Sequence, residues 1–168
     1  MKHTKALHNL VRGAAIAALY VVLALAQDLL LPGTTSAAIQ FRAAEALCVL
    51  ALYTPSAVGG LTAGCLLFNL TNAGALPLDL LVGPLASLLS AVLMYRLRNV
   101  RLWRVPVPAL AMPAVCNALL VGPELWFYIP GLPLWLDMLY VALGELGVLY
   151  TLGTALYFAL RPIESRLK

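Results

Sequence analysis

Charge is what this chain has least of. Only 11% of its 168 residues are charged, where a soluble domain carries about a quarter. That deficit excludes an ordinary water-soluble fold, and 62% hydrophobic residues with a mean hydropathy of +0.92 complete the exclusion. Histidine is almost missing: His3 and His8 both precede the apolar runs, so neither a Ser/His pair nor a histidine metal cluster is available there. No P-loop or other phosphate cradle appears, so the chain cannot by itself couple ATP hydrolysis to transport. The three cysteines, Cys48, Cys65 and Cys116, lie singly inside apolar segments. They form neither a disulfide framework nor a metal spacing and are expected as buried free thiols. The short alternating segments of a membrane β-barrel are missing as well.

What is present is a series of apolar runs, several long enough to cross about 30 Å of hydrocarbon. They predict an all-α membrane protein of six transmembrane helices, one integral membrane domain over residues 1–168. The helices are expected at about 11–31, 40–53, 56–71, 76–97, 106–121 and 137–160. Pro32-Gly33, Thr54-Pro55 and Asn72-Ala73-Gly74 punctuate the first three. A basic loop follows the fourth, and a loop rich in aromatics, proline and glycine, residues 122–136, follows the fifth. Lys2, Lys5 and Arg12 before an apolar run imitate a signal peptide. The run from Gly13 to Leu31 is longer than a signal h-region and no small-x-small site follows it, so it is expected as a retained first helix.

Six helices return the chain to the side where it began, and the charges sort accordingly. Lys2, Lys5 and Arg12, then Arg96, Arg98, Arg101 and Arg104, then Arg161, Arg166 and Lys168 all fall on one side. The positive-inside rule makes that side, with both termini, cytoplasmic. The net charge of +4 is therefore a topology signal rather than a nucleic-acid patch. Arg42 is the only basic residue elsewhere, and six of the seven acidic residues join it in the outer half.

Ionisable groups in a membrane segment are expensive and face a protein interior or a wet cavity. Arg42 and Glu45, three residues apart, share a helix face. Gln40, Asn69, Asp79, Asn117 and Glu145 lie at the same outer level, and together they predict an outward-facing pocket for a small polar ligand. Trp126, with Phe127, Tyr128 and Trp135, could cover a planar ligand by stacking or form an interfacial aromatic belt. Each polar residue has a plainer reading: Arg42 and Glu45 as a mutual ion pair, Asn69 and Asn117 as interhelical hydrogen bonds, Asp79 as a helix N-terminal charge, Glu124 and Asp137 as loop charges. Glu145 is hardest to dismiss, because it sits inside a span between Gly144 and Gly147 with no cation at helical spacing. In the first helix, Gly13 with Ala17 and Ala14 with Ala18 are four apart, a small-residue face suited either to an internal seam or to docking a separate membrane subunit. Gly60 and Gly64 repeat the spacing and are expected to serve internal packing.

Several blocks together resemble the QueT family of S components, the substrate-binding membrane subunits of energy-coupling factor (ECF) transporters. They are IQFRAAEAL at 39–47, Gly60-Leu61 and Gly64-Cys65 with Asn69, LDLLVGPLASLLSAVL at 78–93, Pro113 with Asn117, and Gly144-Glu145 with Leu149-Tyr150-x-x-Gly153. Ala44 departs from the serine expected before the glutamate, and Pro84 departs after Gly83. The resemblance implies a six-helix S-component bundle in a bacterial cell membrane, not an enzyme, with no cofactor or metal of its own. It implies uptake of a queuosine precursor, a deazaguanine base such as queuine or a pre-queuosine base. The implied partners are a transmembrane coupling protein and two cytoplasmic ATPase subunits, with Gly13, Ala14, Ala17 and Ala18 as the docking face. A guanine-like edge offers a ring N–H and an amino group side by side, which a carboxylate accepts together; Glu45 or Glu145 is expected in that role. Asn69, Asn117 and Gln40 would meet the carbonyl and ring nitrogens, and Arg42 would donate to the carbonyl or hold Glu45. A cationic aminomethyl group would want a second carboxylate, Asp79 or Glu145. The alternatives are an S component for another vitamin-like molecule, a membrane assembly protein whose buried charges only hold the bundle, and a membrane enzyme with a carboxylate site.

Overall fold

A computed structural model describes residues 2–34, 41–102, 105–129 and 131–164. Gln40, Arg104, Arg166 and Lys168 lie outside the described residues. Among the described residues every named element is helical, joined by turns, with an isolated antiparallel bridge between Leu102 and Val105. Helix α1 is Lys2–Leu30, α2 Ser56–Thr71, α3 Asp79–Leu97, α4 Val107–Leu110, α5 Met112–Tyr128, α6 Leu134–Val148 and α7 Thr154–Leu160. A 3₁₀ helix, Ala43–Leu52, lies between α1 and α2; a π-helical turn, Leu149–Gly153, joins α6 to α7. Four stretches are long and apolar enough to cross a membrane: Thr4–Leu30, Asp79–Leu97, Val107–Tyr128 and Leu134–Ile163. Ala43–Leu52 and Ser56–Thr71 are shorter apolar helices. The result is a helical membrane protein.

Three departures from the sequence reading matter. First, α1 starts nine residues early, because Lys, Ala and Leu are good helix formers and nothing before Val11 interrupts them. Second, the segment expected as an α-helix from residue 40 is a 3₁₀ helix starting at Ala43, with Arg42 in extended geometry before it. Eight of its ten residues are buried, so packing on all sides, rather than one apolar stripe, fixes its form. Third, the expected loop at 122–136 is mostly helix. The fifth helix runs through Pro123 to Tyr128, and α6 begins at Leu134. Proline forfeits one backbone hydrogen bond, a cost that membrane helices tolerate when neighbours satisfy the freed carbonyl.

Glycine fixes the closest approach. A Cβ on Gly60 would stand 2.6 Å from the Gly13 carbonyl oxygen, and one on Gly64 would stand 2.7 Å from the Tyr20 Cβ. So α1 and α2 cross with their backbones nearly touching. A large buried cluster joins α1, the 3₁₀ helix, α2, α3 and the C-terminal helices around Tyr20, Leu61, Phe68, Met94 and Leu149. A smaller one, Ala86, Val121, Leu125 and Val141, joins α3, α5 and α6. Outward, Leu10, Leu29, Leu30, Leu81 and Phe127 are strongly exposed, the pattern of a surface solvated by lipid rather than water.

Candidate functional site

The buried polar residues come from the 3₁₀ helix and its N-cap, α2, α3, α5 and α6. Arg42, Glu45, Asn69, Asp79, Asn117 and Glu145 are all buried, and so are Glu124 and Asp137. Trp126 does not join them: it lies on the last turn of α5 and is 47% exposed. With Phe127 and Trp135 it faces outward, which is the belt reading of these aromatics.

The 3₁₀ helix delivers the first wall. Three residues per turn stack positions three apart in one line, so Glu45 and Cys48 share one face, and Arg42 immediately precedes the helix. Glu45 is fully engaged. Its Oε1 accepts from the Tyr20 hydroxyl at 2.5 Å and its Oε2 from the Cys48 thiol at 3.1 Å. Arg42 is held through its backbone by Gln27 near the end of α1. The Gln27 side-chain Nε2 donates to the Phe41 carbonyl and to Thr34 Oγ1, and its Oε1 accepts from the Ala43 amide at 2.7 Å. The Arg42 guanidinium interacts electrostatically with Glu45, Asp79, Glu124 and Glu145.

Asn69 and Asp79 brace α2 against α3. Asn69 Nδ2 donates to the Asp79 carbonyl at 2.6 Å, and Asp79 Oδ2 accepts from the Leu76 amide at 2.6 Å, closing the start of α3. Gly83 makes this possible, since a Cβ there would stand 2.6 Å from Asn69 Nδ2. Across the bundle, Asn117 Nδ2 donates to Glu145 Oε1 at 2.9 Å.

The other acceptors are unmet. Glu145 Oε2, both oxygens of Glu124 and Asp137 Oδ2 are buried without a hydrogen-bond donor among the described residues. Among the described residues Glu45, Asp79, Glu124, Asp137 and Glu145 are five buried acids against one buried base, Arg42. Buried carboxyl groups without partners are costly, which makes this cluster the candidate site. Among the described residues no three His, Cys, Asp or Glu side chains are placed to hold a metal ion.

Sequence reasoning assigned no site role to Tyr20, Gln27 or Cys48, and treated Glu124 and Asp137 as loop charges. Tyr20 and Gln27 share the buried face of α1 with Ala17 and Ala24; a tyrosine and a glutamine four and three residues from alanines on that face were the available signal. The small-residue face of α1 divides. Gly13 and Ala17 turn their backbones toward Gly60 and Gly64, while Ala14 and Ala18 are exposed. All four line an open apolar groove of about 780 Å³ between α1 and α2.

A protein-family model described as QueT transporter matches residues 10–162. No curated protein and no solved structure matches the chain.

Proposed function

The chain belongs to the QueT transporter family, and on that premise we propose that it is the substrate-binding S component of an ECF-type importer, capturing a queuosine precursor, a deazaguanine base, from outside a bacterial cell. Membership indicates a multi-pass membrane protein engaged in transport rather than catalysis. In this reading the chain crosses the membrane six times with both termini cytoplasmic. A transmembrane coupling protein and two ATPase subunits supply the energy, the coupling protein docking on the groove lined by Gly13, Ala14, Ala17 and Ala18.

The observation that carries the reading is Glu145. Its Oε1 is fixed by Asn117 and its Oε2 has no donor, so it is oriented and half-satisfied. The N–H and amino group on one edge of a guanine-like base supply what a carboxylate in that state lacks. Arg42, presented by the 3₁₀ helix, is the donor suited to the carbonyl of the same ring. Glu45 already has both oxygens engaged and serves to hold Tyr20, Cys48 and Arg42 in place. Asn69 and Asp79 complete the surround.

The test is thermal unfolding of the purified protein with candidate ligands. A 7-deazaguanine base raises the melting temperature, while biotin and riboflavin do not; stabilisation by either vitamin and not by the deazaguanine overturns the substrate reading. Co-purification with ATPase subunits tests the importer reading separately.

A further inference from the structure

Helix α1 grips the segment that carries Arg42 and Glu45 at two heights. Tyr20 and Gln27 stand seven residues apart, which is two turns along one helix face, and both are buried. Tyr20 reaches Glu45. Gln27 reaches the chain on both sides of Arg42. Its Nε2 donates to the Phe41 carbonyl, and its Oε1 accepts from the Ala43 amide at 2.7 Å. The same Nε2 donates to Thr34 Oγ1 at 3.0 Å, and the Thr34 carbonyl accepts from the Phe41 amide at 3.0 Å.

The bonds to Phe41 and Ala43 bracket a residue in extended geometry, with φ −105° and ψ 97°, whose side chain makes no capping bond. The first amide of a helix finds no partner inside that helix. Here Gln27, sixteen residues earlier, accepts it. One side-chain amide therefore fixes both peptide units that set where the Arg42 side chain leaves the backbone. That origin matters because an arginine has about 2 kcal/mol of rotamer freedom to lose, and a donor misplaced by about 1 Å loses much of its effect. Glu45, Asp79, Glu124 and Glu145 all share the field of Arg42, so charge alone gives the guanidinium several directions to turn. The base of the grip is itself fixed, since α1 packs backbone to backbone on Gly60 and Gly64.

We propose that Gln27 is a positioning residue for ligand recognition: from helix α1, and without touching the ligand, it aims Arg42 at the carbonyl of the bound ring. This rests on the deazaguanine reading above.

A double-mutant cycle, read by calorimetric titration of the purified full chain with 7-deazaguanine, tests it. Gln27→Met keeps a side chain of similar length and removes the bonds to Thr34, Phe41 and Ala43. It weakens 7-deazaguanine by about tenfold, the scale of one hydrogen bond to a charged group. In an Arg42→Gln background the same change weakens binding by less than about twofold, because nothing is left to aim. Equal losses in the two backgrounds, or unchanged affinity in Gln27→Met, overturn the positioning role while leaving the ligand class standing. If Arg42→Gln binds too weakly to titrate, 2-amino-7-deazapurine, which lacks the ring oxygen, makes the same comparison with Arg42 in place. Gln27→Met changes its affinity by less than about twofold, and a loss as large as that for 7-deazaguanine overturns the role. A wild type that binds neither base overturns the ligand class and this role with it. If Gln27→Met fails to fold by thermal unfolding, Gln27→Glu, which keeps an acceptor for the Ala43 amide, takes its place in the cycle.

Discussion

Glu45 and Glu145 are both about as deeply buried as a residue can be, yet they sit in opposite chemical situations. Around Glu45, on the side built by α1 and the 3₁₀ helix, every oxygen has a donor. Around Glu145, on the side built by α5 and α6, acceptors outnumber donors, and Glu124 and Asp137 repeat the imbalance two turns away. A satisfied buried carboxylate is part of the scaffold, because removing it strands its donors. An unsatisfied one weakens the empty protein and is explained by what it later receives. The side that looks worse as structure is the side expected to touch ligand.

The sharpest way to break this contrast is Glu145→Gln. Deazaguanine affinity by calorimetry falls at least about a hundredfold, near 3 kcal/mol, with the melting temperature held or raised. Retained affinity in Glu145→Gln with loss in Glu45→Gln would reverse the roles. Next in size is Glu45→Ala, which leaves Tyr20 and Cys48 without an acceptor. It costs about 2–3 kcal/mol of stability, read as a lowered midpoint of thermal unfolding. Tyr20→Phe removes one donor and costs about 1–2 kcal/mol, with ligand affinity within about threefold. The smallest effect is expected at Trp126→Ala. Its half-exposed ring leaves affinity within about twofold; a larger loss would return it to the ligand as a stacking platform.

Much of this was legible in the sequence, for physical reasons. Charge in a lipid-facing chain has few places to go, so the reading that Arg42 shares its surroundings with Glu45, Asp79 and Glu145 matches their common burial. Helix α2 ends as read, because Thr54-Pro55 and Asn72-Ala73-Gly74 are strong breakers. The 3₁₀ form of Ala43–Leu52 was not legible, since a segment buried all round carries no periodic stripe to read. Glu124 and Asp137 were hidden by their neighbours. Gly122 and Pro123 imitate the start of a loop, whereas Gly122 lets α5 press against Met138 and the helix continues to Tyr128. Tyr20 and Gln27 were hidden by an apolar run in which one hydroxyl and one amide look incidental.

The glycine crossing of α1 and α2 has a mechanical consequence. Two helices whose backbones meet at Gly13–Gly60, and where the Tyr20 side chain seats against the Gly64 backbone, have no slack between them. They can tilt together, but they cannot slide or roll past one another without collision. The groove they share is therefore a stiff feature, able to keep its shape while α5 and α6 adjust around whatever occupies the far end.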